Sequence, residues 1–511
     1  VMKMKNRIYI LFYAILLVSC SDSFIDLAPE SIVTSGNFYK TEGQFNQALI
    51  GTYEGTRGVF GSASAWVMGE MRSDNTHFEF NGLSRGVGTL QREDTDYFLD
   101  DNTSEYVTQK YNAGYVGIAR ANAILDQIDG AGLSVSVTNT ISGEARFLRA
   151  LFYFNLVRYF GDIPLYLNAV KGTTDAYLPR SLAEEVYKVI IADLIQAKQQ
   201  LTEPAFPQTG RANKGTVRML LADVYMTQKN YPAAEIELKA LLNLGYKLLP
   251  DYASVYSTAN KNSVESIFEV QYQQGNQGQN SNFIYSFLPL SADVSKVTGI
   301  TSQNYSAGGW NTPTWEMIEA YESGDKRLEG SISILEGTGP VGAFVIESVK
   351  SPVSYQLPEG KRAYPFIKKY LNPHTLQGNT DDNFPIYRYA DVLLLLAEAL
   401  NEQNKTDQAL PYLNEIRTRA GLPVISLQST EGLRKAIAQE RRVEFAFENK
   451  RWLDLVRTGK AIEVMTQNGV YIKSQYVHIS AKSYSITPSR LLFPIPNREI
   501  LIGNLTQNEG Y

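Results

Sequence analysis

Residues 214–246 read KGTVRMLLADVYMTQKNYPAAEIELKALLNLGY. Two runs carry apolar residues at helical spacing, separated by Asn230-Tyr231-Pro232, a turn with a Pro suited to opening the next helix. Ala222 and Tyr225 share one face of the first run, and Ala233 and Ala234 let the second helix approach closely. Small residues where helices touch and large ones in the grooves make this a packed helix pair. Residues 387–421, YRYADVLLLLAEALNEQNKTDQALPYLNEIRTRAG, repeat the pattern with Asp391, Ala397 and Ala409 in similar places, and Gly421 and Pro423 supply the stop.

The same periodicity predicts helices over roughly 42–58, 104–129, 140–160, 181–201, 214–228, 231–244, 387–403, 407–420, 431–449 and 451–466. The fold class read from this is mainly α: a tetratricopeptide-like scaffold of stacked helix pairs, an α/α superhelix, with long irregular insertions. The insertions are 72–103 and 271–385, rich in Gly, Asn, Gln, Ser, Thr and aromatics. The second is too long for a bare loop in a compact fold, so it carries structure of its own or a function. The 467–511 tail has the same character.

The lone cysteine, Cys20, lies in ILLVSCSDSF (15–24). Lys3, Lys5 and Arg7 precede an uncharged apolar run, Ile8–Val18, too short to span a bilayer as a mature helix. This is the layout of a secretion leader (1–19) ending in a lipobox, and Cys20 is the expected lipidation point. Several acyl chains would then tether the protein to a membrane without crossing it. Apolar content of 44% and charged content of 20% suit a globular chain; about 490 residues after the leader call for more than one lobe. A net charge of −5 leaves no electrostatic footprint for nucleic acid. Tyrosine is abundant, 32 against 22 Phe and 4 Trp, which suits wet recognition surfaces as well as helix packing.

In ERRVEFAFENKRWLDLVRTGKA (440–461), Glu440, Glu444 and Glu448 recur every fourth residue, with Arg441, Arg442, Arg451 and Arg457 available to neutralise them. Paired carboxylates can hydrolyse a glycosidic bond. A regular amphipathic helix instead favours an ion-pair network between C-terminal helices, so no catalytic residue is assigned. In RFLRALFYFNLVRYFGDIPL (146–165), Phe147, Leu151, Phe154 and Arg158 share a helical face, read as core plus a docking surface. His77, His374 and His478 are isolated in sequence, and no zinc spacing occurs. No cofactor motif is present. A structural calcium is left open, with Asp100-Asp101-Asn102 and Asp381-Asp382-Asn383 as its candidate carboxylates, though such runs more often make exposed turns.

Six segments carry a resemblance: CSDSFIDLAPES (20–31), RALFYFNLVRYFGDIPLYL (149–167), the pair YPFIKKY (364–370) and PIYRYADVLLLLAEALNE (385–402), LNEIRTRAGL (413–422), the Glu-rich 440–461, and LLFPIPNREILIGNLTQNEGY (491–511). In order and along nearly the whole mature chain, they resemble the SusD/RagB family of Bacteroidetes outer-membrane lipoproteins. The resemblance implies a lipid-anchored, outward-facing outer-membrane protein that caps a SusC-type TonB-dependent transporter. It would bind a nutrient, usually an oligo- or polysaccharide, without chemistry. The organisation expected is a segment 20–42 carrying the lipid, an N-terminal SusD-like helical region 43–250, and a C-terminal RagB/SusD-like region 251–511 whose loop-rich insertion at about 271–385 binds ligand. The same scaffold binding a peptide or another nutrient is the alternative; a secreted glycoside hydrolase is the reading from another class.

Sugar rings stack on flat aromatic faces while amides, Asp and Arg bond their hydroxyls. The ligand-binding candidates are therefore Trp66, Phe80 and Tyr97, flanking Arg72, Asp74 and Asn75 in the first insertion, and Tyr305 and Trp310, near Asn304 and Asn311, in the second. Trp310 follows Gly308-Gly309 and is expected on an exposed loop. Trp315 opens TWEMIEAYE and is expected packed, and Trp452 belongs to the helical core. Local packing beneath a long loop competes with ligand contact at every one of these positions.

Overall fold

The computed structural model describes residues 38–82, 85–291, 293–301, 308–340, 343–426 and 428–511. The leader and Cys20 lie outside them. Twelve of its helices matter here: α1 (Glu42–Phe60), α2 (Glu105–Ile128), α3 (Val135–Phe160), α4 (Ala183–Gln200), α5 (Lys214–Thr227), α6 (Tyr231–Leu241), α7 (Tyr389–Glu402), α8 (Thr406–Arg419), α9 (Thr430–Glu444), α10 (Arg451–Arg457), α11 (Ala461–Gln475) and α12 (Asn497–Gly503). From α1 to α8 each packs on the next, with α6 joining α7 across the intervening insertion, and α7 also packs on α9. This is the stacked helix-pair scaffold expected from the periodicity.

Local chemistry sets the boundaries. Asn213 closes a capping box with Thr216 at the start of α5, and Asn230 accepts from Ala233 N to start α6. Close approach in the N-terminal stack depends on two glycines of α2. A Cβ at Gly117 would sit 2.4 Å from the Phe152 ring, and one at Gly114 would sit 2.8 Å from Leu156. Two expected helices end differently. The run 431–449 stops at Glu444, because Phe447 and Asn449 take positive φ (69° and 60°). The run 451–466 breaks after Arg457, where Gly459 (φ 73°) separates α10 from α11.

The second insertion contains more regular structure than its weak periodicity implied. Strands β4 (Ile332–Thr338), β5 (Val345–Lys350) and β6 (Arg362–Ile367) form an antiparallel sheet in the order β5-β4-β6. Leu335, Phe344, Ile346 and Phe366 build a small core of their own with Ile284 and Leu288. Three shorter pieces tie the insertions to the scaffold: β1 (Thr76–His77), β3 (Thr312–Pro313), and the antiparallel pair β2 (Ser266–Val270) with β7 (Phe384–Arg388).

The Glu-rich motif forms an ion-pair network, but with partners other than those expected. Arg388 bonds Glu265 (2.8 Å), Glu444 (3.0 Å) and Glu448 (2.9 Å); Arg419 pairs with Glu265 and Glu444. Arg327 reaches Asp325, Glu440 and Glu444, and Lys369 reaches Glu448. Burial works against the charge of Glu448, yet Arg388 and Lys369 outweigh it and pull the carboxyl down to about 2. Glu444 is likewise held well below the usual range, by Arg419, Arg388 and Arg327. Of the arginines in the motif itself, Arg441 and Arg457 hold Asp454, Arg457 also holds Glu398, and Arg442 and Arg451 hold Asp74. Glu448 lies past the end of α9, so the three glutamates do not stay on one regular face and the motif's own arginines point elsewhere.

Candidate functional site

The two insertions meet through a ladder two residues long. In β1–β3, Thr76 faces Pro313 and His77 faces Thr312. Thr76 Oγ1 bonds Asn311 Oδ1 (2.6 Å), and Thr314 N donates to Asn75 O (3.1 Å). The chain continues from β1 into Glu79-Phe80 and from β3 into Trp315, so these side chains reach a common rim. Strand β6 packs against β3 and adds Arg362 and Tyr364; the segment after α11 adds Tyr476 and His478. Together they enclose a cleft of about 630 Å³, within the range of small-molecule sites.

Its walls are flat. The Phe80 ring stacks on His478 with centroids 3.9 Å apart and planes 27° apart. Trp315 stacks on Tyr355 at 6.2 Å and 16°. Tyr476 donates to His77 Nε2 (3.1 Å), and Tyr97 shares a hydrogen bond with His478 Nε2 (3.2 Å), so the platform rings are held from beneath. Burial pushes the His77 imidazole down to about 4, with Phe78 O opposing, which keeps the ring neutral. The carbonyl of Phe78 can only accept from Nδ1, leaving Nε2 to accept from Tyr476. Burial raises the Glu79 carboxyl to about 7, the Arg362 cation opposing. Near neutrality Glu79 thus offers both a donor and an acceptor. It is the only carboxylate among the described lining residues.

The structure redistributes the sequence candidates. Phe80 lines the cleft, and Tyr97 lies buried behind His478 as its support. Trp310 is half-buried, with the Arg92 guanidinium 3.9 Å from its centroid, and is not part of the cleft wall. Tyr305 falls outside the described residues.

Four candidates are structural. Trp66 is buried edge-on to Phe283 and Phe287. Arg72 is fully buried, pairs with Asp100 and donates to Thr95 O (2.9 Å). Asp74 is buried between Arg442 (3.1 Å) and Arg451 (2.7 Å), which pull its carboxyl far down against the effect of burial. Asn75 is buried and donates to Glu70 Oε1 (2.8 Å). Asp74 and Asn75 knit the first insertion to α9 and α10 through Arg442 and Arg451, while Arg72 ties its own insertion together, because a buried charge or amide must be paired within the protein.

Trp315, expected as packing, stands in the cleft wall. His77 and His478, isolated in sequence, converge on Tyr476. The residues missed by sequence reasoning are Tyr476, His478, Arg362 and Tyr364. One signal was present: in Tyr476-Val477-His478 two rings alternate around a residue that is fully exposed, the pattern of an extended rim segment.

Among the described residues no group of three His, Cys, Asp or Glu side chains is placed to hold a metal ion. Each carboxylate of the two acidic runs accepts from a protein donor, Asp100 from Arg72, Asp101 from Thr103, Asp381 from Gln274 N and Asp382 from Asn372, with Asp382 Oδ2 left unbonded. No described helix is long and apolar enough to cross a membrane.

A helix-pair scaffold presenting an aromatic cleft on inserted loops defines a class of recognition architecture. The chain belongs to the SusD/RagB family: the SusD family model matches residues 264–511, and a model described as "Starch-binding associating with outer membrane" matches 24–226. It is 28% identical over 540 residues to SusD-like protein P2 of Formosa agariphila, covering 99% of this chain and 100% of that one. It is 24% identical over 447 residues to the starch-binding protein SusD of Bacteroides thetaiotaomicron, covering 77% and 76% of the two chains. A solved laminarin-binding SusD-like protein superposes with a TM-score of 0.73 at 26% identity, over 93% of this chain and 100% of that one.

Proposed function

We propose that this protein binds a nutrient glycan in the cleft between its insertions and does not cleave it. The observation that carries the reading is the pairing of two ring stacks, Phe80–His478 and Trp315–Tyr355, around a cleft that also offers Glu79, Lys361 and Arg362. Rings take the C–H faces of sugars, and the polar groups take hydroxyls. Relatives named for laminarin and starch binding support the ligand class. We further propose that a lipid on Cys20 holds the protein to the outer membrane, facing outward, and that it delivers its ligand to a SusC-type TonB-dependent transporter. The family model's description supports the outer-membrane association.

Affinity electrophoresis against a polysaccharide panel that includes laminarin and starch tests the ligand. Retardation by at least one glycan, weakened in Trp315→Ala, is the expected result. No retardation by any of them, together with saturable peptide binding, refutes it. Pull-down from membranes in mild detergent tests the partner, and recovery of a large TonB-dependent receptor is expected.

A further inference from the structure

A second cavity, about 240 Å³, lies on the helical scaffold between α2, the 164–178 segment and α12, and shares no lining residue with the cleft. Its back wall is a stripe of α2, with Tyr111 and Tyr115 one turn apart. Tyr166 stands perpendicular to Tyr115 (5.8 Å, 90°), and Tyr111 lies 4.8 Å from Tyr115, so the rings form a corner. Their orientation is fixed: Tyr115 donates to Pro164 O (2.8 Å) and Tyr166 to Ala176 O (2.8 Å). Tyr177, 53% exposed, stands at the mouth.

Part of the polar lining is committed to the fold: Asn122 donates to Tyr166 O (2.9 Å) and Asn168 O (3.2 Å) and accepts from Arg149 (2.8 Å). The side-chain amides of Asn112 and Asn168 and the carboxylate of Glu499 make no hydrogen bond or ion pair among the described residues. Glu499 is the only charged side chain among the described lining residues.

The chemistry narrows the occupant. A purely apolar ligand would cover these groups without bonding them, which costs affinity. An anion would meet Glu499. A small cation would suit the carboxylate and the rings, but would leave both amide N–H₂ groups without acceptors. A neutral polyhydroxylated ring uses everything: hydroxyls donate to Glu499, accept from the amides, and the C–H face lies on tyrosine. The volume falls below the range of drug-sized pockets, which fits a single ring rather than an oligomer.

We infer that this cavity is a second carbohydrate site that takes one hexose-sized ring, separate from the polysaccharide cleft. The inference rests on the reading that the chain is a carbohydrate-binding protein, and its test is read independently of the cleft. Purified mature protein is titrated with glucose, galactose, mannose and their methyl glycosides, up to about 100 mM, well above a millimolar constant. Binding is followed by saturation-transfer NMR in the wild type and in Tyr177→Ala, Glu499→Gln and Trp315→Ala. Tyr177 is exposed and Glu499 is partly so, so these two variants are expected to fold.

Saturation by at least one hexose is expected, weakened at least tenfold by Tyr177→Ala or Glu499→Gln and unchanged by Trp315→Ala. Polysaccharide retention should respond to Trp315→Ala and not to Glu499→Gln. The inference is overturned if no hexose binds, if hexose binding survives both cavity variants, or if methylguanidinium binds through Glu499 while no hexose does. Failure of Trp315→Ala to weaken polysaccharide retention, with hexose binding intact, would sink the cleft reading alone.

Discussion

Glu444→Gln separates a structural role for the Glu-rich motif from a catalytic one. Glu444 is fully buried and faces Arg388 (3.0 Å), Arg327 (3.2 Å) and Arg419. Removing its charge leaves three guanidiniums sharing fewer carboxylates in a region without solvent, and breaking a buried pair on one side costs about 3–5 kcal/mol. With an unfolding entropy of about 2 cal/mol/K per residue, a chain of this size melting as one unit should lose roughly 3–5 °C in Tm, and about twice that if only half of it melts. The pH dependence has a defined sign. The folded carboxyl sits below its ordinary 4.5, so its contribution is present above about pH 4.5 and is lost as the pH falls toward the folded value. The calorimetric gap between wild type and variant should therefore narrow on acidification. Glycan retention by the folded variant should be unchanged. A variant that melts within a degree of wild type at neutral pH refutes the network reasoning; turnover of a glycan by wild type that disappears in Glu444→Gln would instead make the motif catalytic.

Phe80→Ala and Trp315→Ala should each weaken glycan retention about five- to tenfold, on the scale of about 1–1.5 kcal/mol for an aromatic contact, measured by affinity gels. Arg72→Met should lower Tm, because it strips Asp100 of its buried partner, while leaving the glycan affinity of the remaining folded protein intact. Glu79 is raised by burial from 4.5 to about 7, so the folded state binds the extra proton between those values and its contribution to stability declines as pH rises across that window. Glu79→Gln should flatten the slope of Tm against pH between about 5 and 8.

The scaffold was legible in the sequence because periodicity, caps and small residues at the contacts act locally. The Asn230 cap and the two alanines of α6 specify their pair without outside help. The insertions were legible as places but not as surfaces. Arg72, Asp74 and Asn75 have the composition of a polar binding loop, but Asp74 and Asn75 are turned toward protein by Arg442 and Arg451, more than 360 positions away, and Arg72 by Asp100 within its own insertion. Trp315 was misread for the same reason: a residue at a helix start can face either way, and β3 and Tyr355 decide it. The three-stranded sheet was hidden because β4 is buried along nearly its whole length, so no alternation of polar and apolar residues marks it.

The hydrogen bond between Tyr476 and His77 joins residues 399 positions apart. A sugar chain lying across that rim would lean simultaneously on stretches contributed from early, middle and late in the polypeptide. Occupancy should then act as a clasp, making the two ends of the molecule harder to pull apart and shielding the rim segments from protease.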